Sequence, residues 1–135
     1  VVLGHLPHGS QLGALLSAAE SAQISFKDLS IGPKGGSFVI PLLNVPDLPR
    51  VRKYLLSQVP ALELHEGHSL VSVVGDRLAT TAEPLIRFLS ALLDSGAAPM
   101  LSIGTPLRLS AVIHRSCADA AQRALHKLFV SGDSA

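Results

Sequence analysis

The tetrapeptide Leu29-Ser30-Ile31-Gly32 returns as Leu101-Ser102-Ile103-Gly104, 72 residues on. Two further matches flank it. Val2-Leu3-Gly4 answers Val73-Val74-Gly75 at an offset of 71, and Val39-Ile40 answers Val112-Ile113 at an offset of 73. Three matches at nearly one spacing imply one supersecondary unit used twice, which rules out most folds open to a chain of 135 residues. The expected division is 1–66 and 67–135. Units of that size bury only a modest core and are marginal alone.

Within the first unit, Val1-Val2-Leu3 reads as a buried strand ending at Gly4. A loop with Pro7 and Gly9 follows, then Ser10 as a helix cap, then Leu12, Leu15, Leu16 and Ala19 at helical spacing. Ile24 to Ile31 alternates in part and predicts a strand. Gly32-Pro33-Lys34-Gly35-Gly36 is a turn, and Ser37 to Leu42 is the returning strand. Asp47 caps a second helix with Pro49 in its first turn and a face of Leu48, Val51, Leu55 and Val59. Pro60 ends it, and Ala61 to Leu64 is a fourth strand. This β-α-β-β-α-β order is the ferredoxin-like one.

The second unit repeats the order. Ser69 to Val74 is a strand. Thr80-x-x-Glu83 forms a capping box with Pro84 behind it. Leu85, Leu89, Leu92 and Leu93 make a helix face, and Gly96 stands where a helix-ending glycine belongs. Pro99 to Ile103 and Leu107 to Ile113 are strands, the latter with Arg108 and Ser110 on a face that water can reach. Ser116-x-x-Asp119 is a second capping box, with Ala118, Ala121, Leu125 and Leu128 as the stripe behind it. Val130 to Ala135 reads as a polar tail. No fourth strand is evident, so this sheet has an open edge or is completed by another segment. A chain that starts in a strand at Val1 is expected to be a piece of a longer one.

Composition narrows the function classes. The chain is 47% hydrophobic and 16% charged, so its surface is apolar for a monomer and an interface is expected. The net charge is +1, with no basic run and only four Phe and one Tyr. Nucleic-acid binding, which wants a basic stripe and stacking platforms, is therefore not expected. No apolar run is long enough for a membrane helix. The single Cys117 permits no internal disulfide and fits a reducing, cytoplasmic setting. Cys117 itself reads as a plain helix-start residue. His65-Glu66-Gly67-His68 reads as a polar linker, because a structural zinc takes four ligands and the other histidines are scattered. Gly32 to Gly36 lacks the spacing and the following helix of a phosphate-binding loop. No catalytic triad or carboxylate pair stands out, so neither catalytic residues, a metal nor a cofactor is expected in this chain.

Three stretches carry a resemblance: Val71-Ser72-Val73-Val74-Gly75, Ile103-Gly104-Thr105-Pro106-Leu107-Arg108-Leu109-Ser110-Ala111-Val112-Ile113, and Ala118-Asp119-Ala120-Ala121-Gln122-Arg123-Ala124-Leu125-His126-Lys127-Leu128-Phe129. They resemble the regulatory end of aspartate kinases, over about residues 1–129. The resemblance implies two ACT domains behind an amino-acid kinase domain. It further implies feedback inhibition by lysine, threonine or both, bound between domains of two chains. It also implies that a segment preceding the first ACT domain supplies the second domain's missing strand. Leu6-Pro7-His8-Gly9 stands where the family usually carries Asp-Lys-Pro-Gly, and Ile103-Gly104-Thr105-Pro106 replaces a turn that usually ends in a carboxylate. A buried ammonium group needs such an acid, or several carbonyls, in place of water.

The candidate effector-binding residues are first His5, Leu6, Pro7, His8, Gly9, Ser10 and Gln11. This loop precedes a helix whose N–H groups suit an anion such as a carboxylate. Ser25, Lys27 and Asp28 are expected beside it on the next strand. Asp76, Arg77 and Thr105 are their counterparts in the second unit. The expected partners are a second copy of the chain or a kinase-bearing subunit, and an amino-acid effector. The parent or partner is expected to be an aspartate kinase. Two alternatives stand: a dimerisation module without an effector, and a stand-alone amino-acid sensor for another enzyme or regulator.

Overall fold

The computed structural model describes residues 1–78 and 81–131. The chain divides into two compact units, Val1–Gly67 and His68–Ala135, each an α+β unit with its own core. In the first unit the order is β1 (Val2–Leu6), α1 (Leu12–Ala22), β2 (Lys27–Gly32), β3 (Gly35–Ile40), α2 (Leu48–Gln58) and β4 (Glu63–His65). The sheet runs β2-β3-β1-β4, all neighbours antiparallel. This is the ferredoxin-like arrangement predicted from the element order.

The core of this unit lies between the sheet and the two helices: Val2, Leu6, Phe38 and Ile40 from the strands meet Leu15, Ala18, Leu55 and Val59. Asp47 does cap α2, its carboxylate accepting from Arg50 N at 3.3 Å. Arg52, midway along α2, ties the helix to β4, donating to Leu64 O at 2.8 Å and pairing with Glu66 at 3.4 Å. Other expectations shift. Ser10 lies inside a 3-10 turn, Gly9–Gln11, and caps nothing. Leu16 faces water, because Ala18 and Leu15 supply the buried stripe of α1. Ile24, Ser25 and Phe26 precede β2 rather than belong to it, and β4 begins two residues later than Ala61. α1 ends on Gln23 in the left-handed conformation (φ 57°), a position where sequence patterns look for glycine.

In the second unit the order is β5 (His68–Val74), α3 (Ala82–Asp94), β6 (Leu101–Thr105), β7 (Arg108–His114) and α4 (Ala118–His126), continued by a π turn, Lys127–Ser131. The sheet runs β5-β7-β6. Phe88 and Leu92 of α3, Ala121 and Leu125 of α4, and Leu109, Ala111 and Ile113 of β7 form the core. α3 ends as its sequence predicts: Gly96 adopts φ 85°, Gly96 N donates to Leu93 O and Ala97 N to Leu92 O. That is the full Schellman pattern. The capping box expected at Thr80 lies outside the described residues, and the helix is preceded by Thr81, which makes no side-chain cap bond. Ser116 does not cap α4 either. It sits in the 3-10 turn before the helix, its N–H donated to His114 Nδ1 at 3.2 Å.

On the face of β7 expected to be wet, Arg108 is half-buried and Ser110 is dry. Ser110 is fully buried and its hydroxyl lies 2.7 Å from that of Ser72 on β5, while Val112 beside it is buried as well. β7 is the central strand, so its backbone is covered from both sides and Ser110 finds its partner across the ladder.

The two units repeat each other in a register that differs from the tetrapeptide match. Ile31 pairs with Gly36 on β3, whereas Ile103 pairs with Ser110 on β7. Val39-Ile40 and Val112-Ile113 do coincide, both with the isoleucine toward the helices. On that alignment Ser30, not Ile31, is the counterpart of Ile103. A slip of one residue turns a side chain to the other face. Ile31 accordingly packs on the helix-side core of its unit, and Ile103 belongs to no such cluster. The first strands shift further: Leu6 reaches Gly36 as Val73 reaches Leu109, so Val2-Leu3-Gly4 and Val73-Val74-Gly75 are not equivalent.

Candidate functional site

In each unit the segment that leaves the first strand meets the turn of the β-hairpin. In the first unit, β1 ends with Leu6 in the core and Pro7-His8 carries the chain outward to the 3-10 turn. The β2–β3 hairpin turns through Pro33-Lys34, with Gly32 paired to Gly35. The two segments touch. Gly9 N donates to Pro33 O at 3.3 Å, and a Cβ on Gly9 would fall within 2.9 Å of the Gly32 carbonyl carbon. On the other side, Gly35 adopts φ 93°, and a Cβ there would fall within 2.7 Å of the Pro7 carbonyl. Glycine is needed at both places because backbone lies directly against backbone.

These contacts change what the loop can offer an anion. Gly9 N–H is given to Pro33 O, Gln11 N–H to His8 O at 3.2 Å, and Leu12 N–H to Gly9 O. Ser10 N–H is left, beside an exposed Ser10 hydroxyl and an exposed His8. Gln11 Oε1 is buried without a hydrogen-bond partner. His5, one step back on β1, has its Nδ1 3.4 Å from the Ser37 hydroxyl and stands across from Glu63 of β4.

Ser25, Lys27 and Asp28 are not beside this loop. β3 lies between β1 and β2, and Lys27 is level with Val39 and thus with Leu3, near the start of β1. Three residues of strand, about 10 Å, separate that level from Leu6. Asp28 sits at an irregularity in the β2–β3 ladder with φ 56°. The residues that do reach the loop are Gly32, Pro33 and Gly35. In sequence they read as a turn alone, although three glycines and a proline within five residues are a signal of close backbone contact.

In the second unit the predicted residues do gather. Asp76 and Arg77 are exposed in the segment after β5, Arg77 at φ 59°. Gly75 N donates to Leu107 O at 3.0 Å and Leu78 N to Pro106 O at 2.8 Å, which brings this segment to the turn after Thr105. Thr105 Oγ1 closes that turn on Arg108 O at 3.3 Å. Leu78 is buried against the core and anchors the far end.

Two grooves lie elsewhere in this unit. One of about 660 Å³ runs between α3 and α4, lined by Ile86, Arg87, Ala91, Asp94, Lys127 and Leu128. Another of about 340 Å³ lies along β5, between Val71–Val74 and Gln122, Leu125 and Phe129. β5 pairs with β7 alone among the described residues, whereas its counterpart β1 has β4 on its second edge. Among the described residues no group of three or more His, Cys, Asp or Glu is placed to hold a metal, and no helix is long and apolar enough to cross a membrane.

Two ferredoxin-like units in tandem, each with a loop tied to its hairpin turn, make an ACT-type fold. Solved structures similar to it include aspartate kinases and regulatory subunits of aspartate kinases. The ligand-free regulatory subunit of aspartate kinase from Thermus thermophilus matches with a TM-score of 0.76 at 21% identity, over 95% of this chain and 90% of that one. Aspartate kinase from Clostridium acetobutylicum gives 0.77 at 18% identity, over 97% of this chain and 32% of that one. Aspartokinase III from E. coli, in complex with lysine and aspartate, gives 0.70 at 15%, over 95% of this chain and 31% of that one. The chain thus spans nearly all of a regulatory subunit and about a third of the longer kinase chains. The likeness is one of fold. No protein-family model and no curated protein sequence matches the chain.

Proposed function

We propose that the chain is the regulatory region of an aspartate kinase, or a free-standing relative of one, and that it binds an amino acid of the lysine or threonine type. The observation that carries this reading is a fold shared with aspartate kinase regulatory subunits over 95% of the chain. That one of the similar structures is a lysine complex supports the ligand class. The candidate positions are the loops at His5–Gln11 and Asp76–Arg77 with their hairpin turns. Ser10 N–H and its hydroxyl suit a ligand carboxylate, and Asp76, exposed in the second loop, suits an ammonium group. Control of a kinase domain then follows if the ligand prefers one of two arrangements of the assembly. Exposed Val74, Ile86, Leu93, Met100 and Leu107 support pairing with a second copy or with a kinase-bearing subunit.

A second reading, a dimerisation module without an effector, is favoured by two features. Most N–H groups at the first loop are already satisfied internally, and Leu6-Pro7-His8-Gly9 has no acid. Thermal unfolding with each common amino acid in turn separates the two. A ligand at a hundredfold excess over its Kd raises stability by about 2.7 kcal/mol, several degrees in Tm. Lysine or threonine is expected to produce that shift. A chain that responds to no amino acid is the effector-insensitive module.

A further inference from the structure

Pro33 and Pro106 occupy the same place in the two units, 73 residues apart, in the turn that joins the second and third strands. Each gives its carbonyl to an amide of the loop that leaves the first strand: Pro33 O to Gly9 N, Pro106 O to Leu78 N. The sequences of the two turns otherwise differ, Gly-Pro-Lys-Gly against Thr-Pro-Leu-Arg, and so do the two loops. What is preserved is a carbonyl placed on a loop amide. A prolyl residue cannot donate from its own nitrogen and holds φ near −65°, which restricts the conformations open to the turn that presents its carbonyl. In both sheets the hairpin so attached includes the edge strand, β2 in one and β6 in the other.

We propose that these two prolyl turns are matched clamps. Each positions its unit's candidate effector loop and couples that loop to an edge strand, so a ligand seated on the loop displaces the hairpin with it. The functional part of this inference rests on the reading of the loops as effector sites. Pro33, Gly35 and Pro106 are positioning residues in this account and touch no ligand. The edge strands are the surfaces through which a bound amino acid is felt by a neighbouring chain. Gly9 and Gly35 are required in the first unit because either Cβ would part the loop from the turn.

Amide hydrogen exchange read residue by residue tests the clamp on the whole chain without a ligand. Gly9 and Leu78 amides are expected to exchange more slowly than open-loop amides by about a hundredfold or more. Exchange at open-loop rates would overturn the proposal. Gly35→Ala should then lower protection at Gly9 by about tenfold while amides of α1, α2 and the second unit keep theirs. Gly67→Ala is the control: Gly67 has φ 81° but open space around it, so it carries the same backbone strain without a clash. Equal loss at Gly9 in both variants, or no loss in Gly35→Ala, would contradict the clamp. The parent-chain measurement stands even if Gly35→Ala fails to fold. With millimolar L-lysine or L-threonine present, amides of β2 and β6 should shift along with those of the loops. A ligand that shifts the loops and leaves both edge strands unmoved would overturn the coupling. If neither amino acid binds, the effector reading fails, and the exchange rates decide the clamp by themselves.

Discussion

Phe88→Ala is expected to remove about 3–5 kcal/mol of stability and with it the folded second unit. Phe88 is fully buried on α3 in a cluster whose other buried members among the described residues are aliphatic, among them Ala97, Ala111 and Ala121, with Phe129 partly buried against it. Those alanines leave room for the ring and cannot fill the space after it is gone. A unit of this size holds only roughly 3–10 kcal/mol in total. Urea unfolding followed by far-UV circular dichroism, with exchange of the β7 amides, measures the loss. A change below about 1 kcal/mol would mean that Phe88 is not the ring on which this core is built.

Gly4→Ala is expected to disrupt the first unit for the opposite reason. Gly4 lies directly across from Phe38, and its missing side chain is the space the Phe38 ring occupies. A Cβ on Gly4 would enter that ring, within 2.7 Å of Cε1. The ring has no retreat, being fully buried with the Phe26 ring 4.4 Å away on another side. Overpacking of this kind costs about 1–3 kcal/mol where the core can yield. Here it threatens the β1–β3 ladder itself. The double variant Gly4→Ala with Phe38→Leu should regain much of the loss, because a smaller side chain vacates the space. If Gly4→Ala is as stable as the parent chain in urea, the assigned β1–β3 register is wrong.

Local signals read well in this chain because their causes are local. Asp47 before Leu48-Pro49 and Gly96 after Asp94 announce helix ends through bonds made within a few residues. Element order was legible for the same reason, and the element order leads to the sheet order. What was not legible depends on pairing across the sheet. The repeated Leu-Ser-Ile-Gly lies one residue out of register between the units, since the ladder and not the tetrapeptide decides which side chain faces inward. Ser110 looked like a wet residue until its neighbours β5 and β6 were in place. The loops are legible as candidate sites, but their neighbours across the sheet are not. Insertion of β3 between β1 and β2 carries Lys27 and Asp28 away and brings Pro33 and Gly35 in.

The most direct test of the regulatory reading is the map of backbone amide shifts in the isotopically labelled chain as L-lysine and L-threonine are added. Saturable shifts are expected from one of them. They should concentrate at His5–Gln11 with Gly32–Gly36, or at Gly75–Leu78 with Thr105–Leu107. Shifts confined to the groove between α3 and α4, or none with either amino acid at millimolar concentration, would contradict it.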